Sequence, residues 1–313
     1  MRLFLTALSL MASSSITLAA EITKYRVLAQ DKGHVAIMNA DGKVEWEFDC
    51  KYNSHDIHLL PNGNLLLHTG PTTVSEVTPE KKVVWKYESK PISTNKGRVE
   101  VHAFQRLENG NTMIAESGNR RIIEVNKDGK IEVEVPLTIK NPNAHSDTRM
   151  VRKLANGNYL VCQESDGKVC EYDAKAKVVW SYALDLAGRK ASPGHGVEGH
   201  GTAVFGALRL ANGNTLIAGG NNNRVLEVTP EGKTVWSIDQ KELPNITLAW
   251  VTTLRALPNG NIIFGNCHAG PGNPQLIEVT REKKVVWTFK NHTVFGNNLA
   301  VAQVLGVDAK TIR

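Results

Sequence analysis

Long hydrophobic runs are what this 313-residue chain most lacks. The one apolar stretch near the start, Leu3–Met11, is too short to cross a bilayer, and no later segment is longer. With Arg2 before it and Leu18-Ala19-Ala20 after it, residues 1–20 read as a secretory signal. No Cys stands at the expected cleavage point, so a lipid anchor is not indicated, and no membrane span is expected. The remainder, 21–313, is expected to be exported, to the periplasm or the medium. Charge of one sign is also scarce. Lys and Arg number 37 against 31 Asp and Glu, a net +6, with no basic block or interleaved aromatic stripe. Nucleic acid is therefore not an expected partner, whereas mild attraction of an anionic ligand is.

Cysteine is sparse as well. Its four copies make no CxxC pair, zinc knuckle or haem attachment. Cys162 and Cys170 lie on the two arms of a hairpin turning at Ser165-Asp166-Gly167. In an exported chain that leaves two readings open: a cross-strand disulfide, or two separate small packing residues. Cys50 and Cys267 show no partner.

Against these absences stands a repeat. Asn-Gly turns begin at Asn62, Asn109, Asn156, Asn212 and Asn259, spaced by 47, 47, 56 and 47 residues. Each follows a short apolar run and precedes another, as in Arg209-Leu210-Ala211-Asn212-Gly213-Asn214-Thr215-Leu216-Ile217-Ala218. The turn reads as a two-residue hairpin loop with both central residues at positive φ. A third strand, a Pro-Glu-Gly-type turn and a fourth strand carrying a Trp complete the unit. The Trp recurs at Trp85, Trp180, Trp236 and Trp287, with Val133 in its place in the second unit. Large aromatics at that spacing are packing anchors between units.

A period of this length, with four strands per unit, describes propeller blades. Residues 25–48, with Trp46, match the last three strands of a blade, and Leu299–Val307 matches an innermost strand. Joined, they make a sixth blade closed by both chain termini, which removes the exposed sheet edges. The expected fold is all-β: a six-bladed β-propeller of four-stranded blades in one domain, expected to be monomeric.

Such a ring sorts its loops onto two faces. The Asn-Gly and Pro-Glu-Gly turns share a short, regular face; the opposite face carries the unusual residues. His55 and His102 each sit seven residues before their Asn-Gly turn, at the entry of an innermost strand. Arg149, Phe205 and Thr252 hold that position in the next three units, so all five should point at the central channel. His145 and Asp147 precede Arg149. His195 and His200 lie in the Gly-rich insertion Ser192–Thr202, which reads as a flexible lid or rim, and His268 follows Asn266 and Cys267. His58 and His68, within strands, read as packing or supporting groups, and His34 and His292 as surface residues. Polar turns at Glu116–Asn119 and Gln163–Asp166 either line a pocket or only make the bend. Trp250 either stacks on a ligand or plugs the channel.

Two chemistries suit this set. His55, His102 and His268 are candidate ligands of a divalent metal, with Asp147 or Glu116 supplying oxygen. Alternatively His102 or His55 acts as nucleophile or general base, in group transfer or lyase-type chemistry, while Arg149 neutralises an anionic group. In either case His145, Asp147, His200, Glu116, Trp250, Asn266 and His268 are the candidate ligand-binding residues. The competing class is a non-enzymatic propeller that recognises a peptide or glycan on the same face.

The pattern LxNGNTLIA…RVLEVxPxGKxVW resembles the repeats of PQQ-binding-like β-propellers, and more closely those of bacterial arylsulfotransferases. The resemblance covers 25–307. Quinoproteins of that group are larger, eight-bladed and often carry adjacent cysteines, which this chain lacks, so no PQQ is expected. Resemblance to the arylsulfotransferases implies sulfuryl transfer through a central His, helped by other His and an Arg. His55, His102, His145, His200, His268 and Arg149 are of the types that chemistry uses.

Overall fold

The computed structural model describes residues 25–95, 97–308, 310 and 312; the expected signal segment lies outside them. Twenty-four strands form six four-stranded antiparallel sheets. The first blade is β4 (Ile57–Leu59), β5 (Leu65–Gly70), β6 (Thr73–Val77) and β7 (Val83–Glu88). Four more follow in chain order, led from the channel outward by β8 (Glu100–Arg106), β12 (Val151–Lys153), β16 (Gly206–Arg209) and β20 (Val251–Ala256). The sixth takes β1 (Arg26–Asp31), β2 (His34–Met38) and β3 (Val44–Asp49) from one end of the chain and its innermost strand, β24 (Val301–Leu305), from the other. β24 pairs with β1 in register Leu28↔Gln303. The six-bladed expectation therefore holds, including the closure. No helix among the described residues is long and apolar enough to cross a membrane.

The repeated turn differs from its expected form. Gly63 sits at φ 85°, but Asn62 is not at positive φ. The Gly63 N–H donates to Leu60 O (2.9 Å), and the Leu60 N–H donates to Asn64 O (2.8 Å). This is a type I turn over Pro61-Asn62 with Gly63 as a left-handed bulge residue. The flanking asparagines have a second task. Asn62 and Asn64 donate to Glu76 (3.1 and 2.6 Å), which also accepts from Arg106 of the next blade (2.8 Å). Glu171 repeats the pattern with Asn156, Asn158 and Arg209. The Trp residues then join blades: Trp46, Trp85, Trp180 and Trp236 donate their indole N–H to the carbonyls of Pro79, Lys127, Pro230 and Arg281, each in the following blade.

The disulfide reading of Cys162 and Cys170 fails on register. β13 (Tyr159–Gln163) pairs with β14 (Lys168–Tyr172) so that Cys162 faces Val169 and Cys170 faces Val161. A one-residue offset sends the two side chains to opposite sides of the sheet. They pack into different cores, and all four cysteines are free and buried.

Below its mouth the channel is crossed by a buried ion pair. Arg152 of the third blade grips both oxygens of Asp56 in the first at 2.7 and 3.0 Å. Burial works against the Asp56 charge, but Arg152 and His58 together outweigh it and hold the carboxyl far below the usual range. Trp180→Ala removes one indole bridge and the surface over which Arg209 stacks at 5.0 Å. It should cost about 2–4 kcal/mol in urea denaturation, and a loss below about 1 kcal/mol would contradict the anchoring role.

Candidate active site

Inner strands of the first three blades deliver their leading residues to one end of the channel. His55 stands just before β4 and Arg149 just before β12. His102 is the extra residue of a bulge, since Val101 pairs with Glu116 and Ala103 with Ala115. Bulges re-aim side chains, and here the imidazole turns toward Arg149. The guanidinium meets three rings: Nη1 lies 3.3 Å from His102 Nε2 and 3.5 Å from His55 Nε2, and Nη2 lies 3.1 Å from His145 Nε2. On its other side Nε is paired with the Glu164 carboxylate.

Above this cluster lies a cavity of about 190 Å³. Its polar wall includes His55, His145, Arg149, His195 and His268; its apolar wall is Phe205, Trp250 and Ala300. The apolar wall is built under strain. Trp250 has φ 36° and His268 has φ 61°, conformations that cost roughly 1–3 kcal/mol each. Asn223 Oδ1 accepts from the Trp250 N–H (3.0 Å) and Asn266 Oδ1 from the Ala249 N–H (2.8 Å), while Asn297 O accepts from the His268 N–H (2.7 Å). Thus fixed, the Trp250 ring lies 4.2 Å from that of His195, which in turn lies 5.2 Å from that of His268.

Five of the ten residues singled out in the sequence line the cavity: His55, His145, Arg149, Trp250 and His268. His102 is fully buried behind them, and Asn266 supports the Trp250 segment from behind. Three lie elsewhere. Asp147 spends both oxygens on backbone, accepting from the Asn143 and Gly118 N–H groups (2.6 and 3.0 Å), and so shapes the loop that carries His145. Glu116 accepts from Asn119 and Arg121 inside the second blade. His200 contacts Gln240 (2.9 Å) on the rim. Thr252 does not face the channel. An extra residue, Thr253, bulges β20 between Thr252 and Leu254, and Thr252 Oγ1 packs where Gly265 has no side chain; a Cβ there would lie 2.2 Å away.

Glu100, Glu164 and Cys267 were missed as site residues, and His195 was noted without a role. Glu100 is 1% exposed, and its Oε2 lies 2.9 Å from both His102 Nε2 and His145 Nδ1, with Arg98 on its other oxygen. Its available signal was Glu-x-His within a strand. Glu164 lay in a turn legible only as polar.

Burial governs the charge states. It drives His55 well below its ordinary range, with Arg149 adding to the effect, and takes His102 down to about 4 for the same two reasons. His268 and His195 are lowered too, by burial first and then by His195 and Arg149 respectively. Burial opposes ionisation of Glu100, but the nearby imidazoles of His102 and His145 overcome it and hold the carboxyl well below normal. Burial pushes the Cys267 thiol far up, so it stays protonated beside His268 Nδ1 (2.9 Å). Four rings that face or underlie the cavity are thus biased toward neutrality, with Arg149 in permanent charge among them.

Beneath the cluster, burial and then His102 take His68 down to about 3. Its Nδ1 is bonded to Ser54 Oγ (2.5 Å). Unfolded, a histidine titrates near 6.5, so between these values the unfolded chain binds more protons, and stability falls as pH drops. Between pH 7 and 4 His68 should account for a loss on the order of 3 kcal/mol. Urea denaturation at both pH values should show a smaller acid loss for His68→Gln than for the unaltered chain; equal losses would contradict the assignment.

Residues 31–289 match a family model described as "Outer membrane protein assembly factor BamB", of the PQQ repeat type. No curated protein matches the chain. Among solved structures, a protein of unknown function from Bacteroides caccae is similar at a TM-score of 0.74 and 21% identity, over 91% of this chain and 100% of that one. A streptogramin B lyase is similar at 0.57 and 13%, over 92% and 95% of the two chains. A catalytically inactive His-to-Ala variant of virginiamycin B lyase from Staphylococcus aureus, with quinupristin, is similar at 0.53 and 14%, over 87% and 86%. At these identities the likeness is one of fold.

Proposed function

The chain belongs to this family of PQQ-type repeat propellers, and we propose that its channel mouth binds a small anionic ligand with an apolar or aromatic part and acts on it by acid–base or group-transfer chemistry. The single observation that carries this reading is Arg149, a permanent cation ringed by imidazole nitrogens at 3.1–3.5 Å in the wall of a cavity whose other side is Trp250 and Phe205. Guanidinium forks suit carboxylate, sulfate and phosphate oxygens, and an indole face suits a ring or apolar chain.

His55 is the candidate for proton exchange or nucleophilic attack. It faces the cavity, is held neutral, and its Nε2 lone pair is held only by a long 3.5 Å contact with Arg149 Nη1. A neutral imidazole is the form that takes up a proton or attacks. The expected resemblance to arylsulfotransferases enters here: an aryl sulfate would place its sulfate on Arg149 and its ring on Trp250, within reach of His55. The secretory reading of 1–20 supports action outside the cytoplasm.

Isothermal titration with 4-nitrophenyl sulfate and 4-nitrophenyl phosphate, beside turnover assays, tests the reading. Arg149→Ala should weaken binding of whichever ester is taken by about tenfold or more, the worth of one charge-assisted hydrogen bond. His55→Ala should abolish turnover while changing affinity by no more than about threefold. Unchanged affinity in Arg149→Ala would overturn the anion site, and full turnover in His55→Ala would overturn its chemical role.

A further inference from the structure

One contact in the cluster does not close as hydrogen bonding. His102 Nδ1 lies 2.8 Å from the Thr148 carbonyl, so the ring's hydrogen sits on Nδ1. Nε2 then has one lone pair, shared between Arg149 Nη1 at 3.3 Å and, closer, the Glu100 carboxylate oxygen at 2.9 Å. Two lone pairs at that distance repel unless a cation lies between them. His145 Nδ1 approaches the same oxygen at 2.9 Å from a different loop, and the three ligand atoms all lie within 4.8 Å of one another.

We propose that Glu100, His102 and His145 bind a divalent first-row transition ion, with Zn2+ as its simplest representative. Two imidazoles and one carboxylate are a donor set that such ions take while leaving positions open for a ligand. The supporting contacts follow the pattern of metal centres. His102 gives its remote N–H to a backbone carbonyl, and Arg98 holds the non-binding oxygen of Glu100. Glu100 and His102 are buried and fixed, whereas the His145 side chain is 54% exposed and leaves an entry path.

Metal binding through Nδ1 requires the hydrogen of His145 to move to Nε2. That nitrogen now faces Arg149 Nη2 at 3.1 Å, so the two N–H groups would part and the guanidinium would turn to an incoming anion. Arg98 and Arg149 are matched by Glu100 and Glu164, so the ion adds net positive charge that an anionic ligand offsets. The ion and the anion are therefore expected to bind with positive coupling. Metal uptake itself does not rest on the reading of the ligand site.

The test uses the full exported chain, stripped with chelator and titrated with Zn2+ by calorimetry and with Co2+ by visible absorption. One Zn2+ per chain is expected, with Co2+ bands of nitrogen and oxygen ligation. His145→Ala and Glu100→Gln should each weaken binding by at least tenfold, and the surface variant His292→Ala should not. Because the His145 side chain is half-exposed, its variant decides the matter even if Glu100→Gln fails to fold. No stoichiometric uptake, or uptake that survives His145→Ala, would overturn the proposal; in the first case a proton shared by Glu100 and His102 fills the gap. Metal uptake with no anion binding would leave this proposal standing and remove the proposed function.

Discussion

Every feature of the channel mouth depends on the pairing of β24 with β1. Five in-register residue pairs join the two ends of the chain and turn a row of blades into a ring. In an open row, His55, His102 and Arg149 would sit on successive blades with no common centre. Closed, the inner strands converge, and residues 47 apart in sequence come within hydrogen-bond distance. The outer rim serves the same end. Indole bridges to the next blade's turn, and glutamates shared between asparagines of one blade and arginine of the next, fix the angle between blades.

Convergence creates an electrostatic problem that the structure solves by neutrality. Several imidazoles beside a guanidinium would repel one another if protonated. Burial keeps His55 and His102 uncharged, so their nitrogens accept from Arg149 instead of opposing it. Glu164 and Glu100 supply the counter-charge. Across the cavity the constraint is conformational. Trp250 and His268 hold left-handed backbone only because Asn223, Asn266 and the Asn297 carbonyl bind the adjoining amides. Strain maintained by surrounding hydrogen bonds is common at ligand sites.

The ring, its blade count and its closure were legible because the Asn-Gly turns and Trp positions repeat with a fixed spacing. So was the approach of His55, His102 and Arg149, since equal offsets from equal turns give equal places on a blade. Counting failed where a strand bulges: Thr253 adds one residue to β20, and Thr252 turns into the core while Trp250 reaches the cavity. Turn geometry was another limit. Only φ values show that Gly63 alone is left-handed, and only register shows that Cys162 and Cys170 face apart. Carboxylates were the least legible. Asp147 and Glu100 each lie two residues from a histidine and Glu116 fourteen from one, yet backbone amides claim the first, an internal arginine holds Glu116, and of the three only Glu100 meets the imidazoles.

The central claim is that Arg149, with the neutral imidazoles of His55 and His102 beside it, forms an anion site backed by an aromatic wall. A crystal structure of the chain soaked with 4-nitrophenyl sulfate tests it most directly. The account predicts sulfate oxygens within hydrogen-bond distance of Arg149 Nη1 or Nη2, with the nitrophenyl ring against Trp250. An ester bound with its sulfate away from Arg149, or a mouth that stays empty at saturating ester, would contradict it.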